Sequence, residues 1–446
     1  MLRLYKICII TNYAIRNGNH LILNRVVFIN IGYGVTFDII WKIIIIFAII
    51  LNIIIQIVII MTAQVKIKNP FVISGYVSPE YFCDREKETA ELTGSLLNGR
   101  NTVIVSPRRM GKSGLIEHCF GQRMIKKDYY TFFIDIYATG SLKELVYIFG
   151  KHIFDTLKPK GKKFVERFFS TIASLRPAFK LDPLTGQPVF DIGIGDIKQP
   201  LTSLDEIFAY LESADKRCIV AIDEFQQIAN YPEKNVEAIL RTHIQKCKNT
   251  NFVFAGSQRH IIQNIFFSAS KPFYQSTTLL NLEPIRYEPY LKFIKNFFKK
   301  AGKNYSEDCI KKMYDMLEGH TWYMQNLLNR LYEQLDGGEE MTVVIANHVL
   351  RSVVESNKTV YQGMVSMLSE RQRELLFAIG KEGKANEITS AAFINKHGLY
   401  SPSSVQSAIR QLLEKELVTK EGNTYHIYDR FFGLWIANTY GTGYGL

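Results

Sequence analysis

The stretch NTVIVSPRRMGKSGLIEHCF, residues 101–120, restricts the fold of this chain more than any other. It passes from a short apolar, β-branched segment (Asn101 to Val105) through a turn ending in Gly111-Lys112-Ser113 into a helical pattern. A continuous apolar run of that length suits a strand buried on both faces, and such strands belong to parallel sheets covered by helices. The turn has the spacing of a phosphate loop, GxxxxGK[ST], with Ser106 standing for the first glycine and small enough for the bend. Backbone N–H groups from Arg109 to Ser113 are then expected to point at a β-phosphate, helped by the positive end of the helix that starts there. Gly111 lets the backbone approach closely, Lys112 reaches the β- and γ-phosphates, and the Ser113 hydroxyl ligates Mg²⁺. The cradle so defined comprises Ser106, Pro107, Arg108, Arg109, Met110, Gly111, Lys112, Ser113 and Gly114, and its ligand is ATP.

A second segment supplies what a phosphate loop needs for hydrolysis. RCIVAIDEFQQ is an apolar strand ending in Asp223-Glu224. Two carboxylates at the end of a buried strand are costly unless something charged meets them. Magnesium and a nucleophilic water meet that need, because successive residues point to opposite sides as a strand ends. Asp223 is assigned to the metal and Glu224 to water activation, with Lys112 as the other catalytic group.

Apolar β-branched or aromatic runs alternate with helical stretches from Pro70 onward. Four strands are predicted: Asn101 to Val105, Tyr129 to Ile136, Arg217 to Ile222 and Asn251 to Ala255. Between Pro159 and Pro200 a basic helix precedes LDPLTGQPVFDIGIGD, whose Pro and Gly punctuation predicts a hairpin or loop insertion. From about Pro284 to Gly363 strands give way to helical periodicity.

The segments FCDREKETAEL, SPRRMGKS, IDEFQQ and VFAGSQRHIIQNIF together resemble the archaeal-type ATPase family, a branch close to the AAA+ and STAND nucleotide-switch proteins. The resemblance extends from about Asn69 to Ile436 and implies an ATP-hydrolysing P-loop domain. It implies that Arg85 and Glu86 lie near the base and ribose, and that Ser257 and Gln258 form a polar sensor for the γ-phosphate or attacking water. A strand ending in Gly-Ser-Gln offers hydrogen bonds to a transferring phosphoryl group on chemical grounds as well. One stretch departs from the family: KPFYQST has Gln275 where an arginine is expected. An arginine supplied by a second copy of the chain would fit that gap.

The last unit, ERQRELLFAIG, ITSAAFINKHG, SPSSVQSAIRQLLEKELV and VTKEGNTYHIY, reads as three helices and a hairpin, a winged helix-turn-helix in outline. The family commonly ends in such a unit, with YDRFFGLWI resembling its closing stretch. Ser401 is a good N-cap with Pro402 after it. Val405, Ala408, Ile409, Leu412 and Leu413 form the packing face, leaving Ser403, Gln406, Ser407 and Arg410 outward for DNA or a protein client. Glu421-Gly422-Asn423 makes the wing turn. With a single arginine, and Glu414 and Glu416 following, the electrostatic footprint for DNA is weak.

The N-terminal segment stands apart. Residues 43–60 form an uncharged, isoleucine-dominated run about long enough to cross a ~30 Å hydrocarbon core. Five cations (Arg3, Lys6, Arg16, Arg25, Lys42) against Asp38 precede it, and would leave the following domain outside, where ATP is scarce. The run reads either as a membrane anchor or as untranslated sequence ahead of a start at Met61. The net charge of +12 owes much to this segment, so the rest is only mildly basic. Six scattered cysteines without metal-ligand spacing indicate free thiols in a reducing compartment.

The sequence therefore predicts an α/β fold: a P-loop NTPase parallel sheet flanked by helices (62–285) after an apolar segment (1–61). A helical lid (286–366) and a winged helix (367–446) follow. The expected function is a cytoplasmic, Mg-dependent ATPase acting as a nucleotide-driven switch. The alternatives are a DNA-binding regulator holding ATP as a signal with little turnover, and a single-pass, membrane-tethered ATPase.

Overall fold

The computed structural model describes residues 68–157, 162–172, 174, 179–181, 188–190 and 197–441 and, ahead of these, 7–9, 16–17, 20–21, 27–29, 46 and 48–51. The chain divides into two units, Met1–Lys68 and Asn69–Leu446. In the first, Ile7–Ile9 pairs antiparallel with Val27–Ile29, and Arg16–Asn17 with His20–Leu21. Among the described residues no helix is long and apolar enough to cross a membrane. Most of the run 43–60, and with it both readings of that run, lies outside them.

The second unit is built on five parallel strands: β1 (Thr102–Val105), β2 (Tyr129–Asp135), β3 (Arg217–Asp223), β4 (Thr250–Gly256) and β5 (Thr278–Asn281). Their order across the sheet is β5-β1-β4-β3-β2. The first four are the predicted strands, shifted by a residue at their ends. β5 was not predicted: TLLN is short and only Leu280 is buried, so it carries no apolar run to read.

Alternation along the strands supplies two cores. Val103, Val105, Val220, Ile222, Phe252 and Phe254 face one layer of helices, formed by Leu142–Leu157, Pro200–Glu212, Val236–Lys246 and Arg259–Phe267. Ile104, Ile219, Ala221, Val253, Ala255 and Leu280 face the other, with Leu92, Leu96, Leu115 and Ile116. The register sets Gly256 level with Val105, and Phe254 level with Ile222. Ser106, Glu224 and Ser257, each the residue after a strand, therefore emerge together at the carboxyl ends of the three central strands. The expected insertion is a helix, Lys162–Thr171, and a hairpin of Phe179–Leu181 with Pro188–Phe190.

Beyond the sheet come helices Tyr287–Lys300, Glu307–Met316, Thr321–Gln334, Val343–Ser356 and Lys358–Ser366. Strands do not vanish entirely here, since Asn304–Tyr305 pairs with Glu340–Met341. The winged helix follows: helices Glu370–Glu382, Ala391–His397 and Pro402–Glu414, then the hairpin Val418–Glu421 and Thr424–Ile427. Ala385–Asn386 adds a third strand to that hairpin, and helix Arg430–Tyr440 closes the unit. A capping box at Ser369 and side-chain caps at Ser390, Ser401 and Asp429 satisfy first-turn amides and so fix where four of these helices begin.

One apolar core runs through the helical region and the winged helix, from Phe298 and Leu327 to Leu376 and Trp435. Tyr361 packs on Phe432 and Trp435 across the expected 366/367 boundary. The same core takes in Phe71, whose ring meets Phe293, Phe297, Phe298 and Tyr332. Asn69 donates to Asn329 O and Asn329 to Phe71 O, both at 2.7 Å, so the segment leading into the sheet is tied to the helices.

Candidate functional site

β1 ends at Val105, and the loop Ser106–Gly111 turns into helix Lys112–Phe120. Two residues in the turn take the left-handed conformation, Arg109 (φ 67°) and Gly111 (φ 90°). A β-carbon at Gly111 would meet nothing within 4 Å, so the loop opens onto free space at that point. That space is a cavity of about 300 Å³, bounded by Arg108 to Gly114, Glu224, Arg85, the segment Val72–Val77 with Phe82, and Thr321, Trp322 and Gln325.

Three of the predicted chemical groups, Lys112, Ser113 and Glu224, line the cavity, and Asp223 lies against Ser113. Ser113 Oγ donates to Asp223 Oδ2 at 2.5 Å, and Asp223 Oδ1 accepts the Glu224 amide at 2.9 Å. Lys112 is buried, with Nζ making only long contacts to the Ser106 and Pro107 carbonyls (3.4 and 3.3 Å). Burial pulls the Lys112 ammonium below its ordinary pKa against the pull of Glu224 and Asp223. Burial likewise raises the Asp223 carboxyl, against the Ser113 hydrogen bond and the Lys112 charge. Both shifts run toward the neutral forms, as they must where charges are desolvated without a full set of partners.

Glu224 is held from two sides. Its Oε2 accepts from Ser257 Oγ at 2.8 Å and from Gln226 Nε2. Its backbone is left-handed (φ 53°), which turns the carboxylate off the strand and into the cavity. Ser257 thus lies beside the predicted base. Gln258 does not reach the cavity, its Nε2 donating to Glu416 Oε1 at 2.6 Å. Arg85 lines the cavity and is buried, donating to Glu88 Oε1 (2.7 Å) and Met110 O (3.4 Å). Glu86, the first residue of helix Glu86–Leu97, is exposed and outside the cavity. It pairs instead with Asp84, whose hydrogen bond holds the Glu86 carboxyl below its usual range.

Several groups at the site carry no sequence signal of their own. Trp322 donates its amide to Arg109 O at 3.1 Å and lies under the Arg109 guanidinium, 4.2 Å from ring centre to Cζ. Arg109 Nη1 also reaches Tyr323 OH (2.8 Å) and Asp429 Oδ2 (2.7 Å). Tyr428 OH accepts from the Arg108 amide at 2.9 Å, and Glu416 Oε2 pairs with Arg108 Nη1 at 2.6 Å. Residues of the helical region and the winged helix therefore seat directly on the phosphate loop. The aromatic wall with Tyr76 and Phe82 is the nearest to legible, since SGYVSPEYF concentrates aromatics just ahead of Arg85. Both its rings lean on His118: Phe82 stacks at 4.5 Å and Tyr76 OH meets Nδ1 at 3.0 Å.

The residues present fit a nucleotide and a magnesium ion. An under-bonded, buried ammonium suits a phosphate oxygen, and a hydroxyl touching a carboxylate gives two adjacent oxygen ligands for a hard, octahedral cation. Among the described residues no group of three or more His, Cys, Asp and Glu stands ready to hold a metal.

Residues 82–327 match the family described as an ATPase domain predominantly from Archaea, and residues 359–438 match a "probable winged helix domain". The Walker-type ATPase PABY2304 of Pyrococcus abyssi superposes with a TM-score of 0.59 at 20% identity, over 82% of this chain and 99% of that one. The Aeropyrum pernix ORC2 protein, solved as ADPNP-ADP complexes, gives 0.49 at 12% identity, over 84% and 97%. No curated protein matches the chain in sequence. The first of these likenesses shows a common fold of sheet, helices and winged helix.

Proposed function

The chain belongs to the family of ATPase domains found predominantly in Archaea, and from that premise we propose that it binds ATP with Mg²⁺, hydrolyses it and uses the cycle to move its winged helix. One observation carries the reading: Lys112, Ser113 and Glu224 line one cavity, and Asp223 stands directly behind Ser113, in contact with its hydroxyl at 2.5 Å. Lys112, short of partners, pairs with the β- and γ-phosphate oxygens. Ser113 and Asp223 hold the metal, which when bound neutralises charge on those phosphates. Glu224, oriented by Ser257 and Gln226, takes the proton of the attacking water. The apolar and aromatic wall of Ile73, Tyr76, Phe82 and Trp322 receives the base, and Arg85 braces the loop through Met110 O.

Phosphate release by wild type and by Glu224→Gln tests the claim. Wild type is expected to turn over, and the variant to lose about 10²-fold or more. Equal, near-zero rates would retire hydrolysis and leave ATP as a signal held with little turnover.

The output partner is expected on the exposed face of helix Pro402–Glu414, where Ser403, Gln406, Ser407 and Arg410 are free of the core. DNA is our reading for that partner, a protein client the other outcome. A salt series of duplex binding by the full chain separates them, since phosphate contacts weaken steeply with salt and absence of binding at low salt points to a protein. ATP and buried free thiols at Cys83, Cys119, Cys218, Cys247 and Cys309 suit the cytoplasm. Solution sizing with and without ATP tests assembly into a homo-oligomer.

A further inference from the structure

The arginine that would couple phosphate chemistry to the rest of the chain is missing from its expected place at Gln275. The geometry offers one elsewhere. Arg108 sits inside the phosphate loop and lines the nucleotide cavity with Lys112, Ser113 and Glu224. Its Nε donates to Ser257 Oγ at 3.2 Å, and the same hydroxyl donates to Glu224 Oε2 at 2.8 Å. The guanidinium thus stands one hydroxyl away from the predicted base, at the end of the cavity where the terminal phosphate has to lie.

Its outward nitrogen is already engaged. Arg108 Nη1 pairs with Glu416 Oε2 at 2.6 Å, while the other oxygen of that carboxylate holds Gln258 at 2.6 Å. Glu416 is a winged-helix residue, placed where helix Pro402–Glu414 gives way to the hairpin. The helix ends in a paired turn, Glu416 N to Leu413 O and Leu417 N to Leu412 O, both 3.0 Å. That turn puts its left-handed residue at Glu416 (φ 53°), the position where glycine is the usual choice. A glutamate there gives up backbone comfort, and its carboxylate bridges the phosphate loop and the end of β4. An acidic side chain is also the protein group that most resembles a phosphate oxygen to an arginine fork.

We infer that Arg108 is the residue by which this chain tells ATP from ADP, and that Glu416 of the winged helix competes with the terminal phosphate for its guanidinium. The inference rests on the ATPase reading above and deepens it. Arg108 cannot serve both anions in full: a γ-phosphate draws it off Glu416 and removes one of the wing's holds on the loop, whereas ADP leaves the pair intact. Linkage makes this reciprocal, so whatever holds the wing on the loop weakens ATP and not ADP.

The test is the affinity of the full chain for a non-hydrolysable ATP analogue and for ADP, in wild type, Glu416→Gly, Arg108→Ala and the double variant. Glycine suits the left-handed position, so Glu416→Gly is expected to fold at least as well as wild type, and Glu416→Gln serves as its non-glycine partner. Freed of its competitor, the analogue should gain about tenfold over ADP, the size of a charge-assisted hydrogen bond. Arg108→Ala should abolish the preference for the analogue and make the Glu416 change silent. An analogue-to-ADP ratio that is the same in wild type and both Glu416 variants, or that survives Arg108→Ala, overturns the inference while leaving the ATPase reading intact. A wild-type chain that binds neither nucleotide removes both.

Discussion

Gly256 at the end of β4 lies against the side chain of Gln226. A β-carbon built on it would collide with the Gln226 carboxamide oxygen and come within 2.6 Å of Ile262 Cδ1. The pair explains why VFAGSQ and IDEFQQ occur in one chain: the bare glycine leaves room for Gln226, whose Nε2 reaches Glu224 and Ser257. Gly256→Ala is expected to cost about 1–3 kcal/mol through overpacking. It should also slow phosphate release, because Gln226 is pushed off Glu224. Urea unfolding and a turnover assay on the same preparation check this, and normal turnover in a destabilised variant would separate Gln226 from the reaction.

Phe71 is fully buried among four aromatic rings of the helical region, although it precedes the sheet in sequence. Its anchorage fixes the cavity wall a few residues on, Ile73 to Val77. Phe71→Ala is expected to destabilise by about 3–5 kcal/mol and to weaken nucleotide binding, with Phe71→Leu milder on both counts. Denaturant midpoints and nucleotide titration measure the two effects. Unaltered affinity in the alanine variant would mean the wall holds its place without its anchor.

What the sequence announces and what it hides divide along physical lines. Strands β1 to β4 are legible because burial on both faces demands continuous apolar runs, and the phosphate loop because close backbone approach demands glycine at a fixed distance from lysine. Asp223-Glu224 is legible because carboxylates at a buried strand end need a reason. β5, with one buried residue in four, leaves no such trace. The contacts of Arg108 and Arg109 with Glu416, Tyr428 and Asp429 leave none either, since they join residues some 300 positions apart through side chains that would be unremarkable on any surface. Gln258 is placed with Ser257 among the sensor groups by the family resemblance. Its side chain instead turns outward to Glu416, as alternation at a strand end allows.

His320, at the start of helix Thr321–Gln334, and His426, on the wing, both accept from Arg430 Nη2, at 3.3 and 3.4 Å. Burial first, and then the Arg430 charge, lower each imidazole to about 4, with Glu318 opposing. The unfolded chain titrates these groups near 6.5. Between pH 6.5 and 4 the unfolded state therefore takes up protons that the folded state refuses, and stability falls as pH drops through that window. The contribution is fully present above 6.5 and levels off below about 4. Thermal midpoints across the range should show the fall, with a shallower slope in a His320→Gln, His426→Gln double variant. An unchanged slope would assign the acid sensitivity to other groups.

Asp429 has two tasks that one substitution can separate. Its Oδ1 caps helix Arg430–Tyr440 by accepting from Phe432 N at 3.1 Å, while Oδ2 pairs with Arg109 at 2.7 Å. Asparagine caps about as well as aspartate but carries no charge. Asp429→Asn should therefore keep overall stability within about 1 kcal/mol, the usual scale of a partly exposed ion pair. It should nonetheless raise amide exchange in the wing and the phosphate loop together, because one of the two ion pairs that link them is gone, Arg108–Glu416 being the other. Asp429→Ala loses the cap as well and should be about 1 kcal/mol less stable than the asparagine variant. If asparagine leaves exchange in both regions at the wild-type level, the Arg108–Glu416 pair and the hydrogen bond from the Arg108 amide to Tyr428 hold the loop to the winged helix without Asp429.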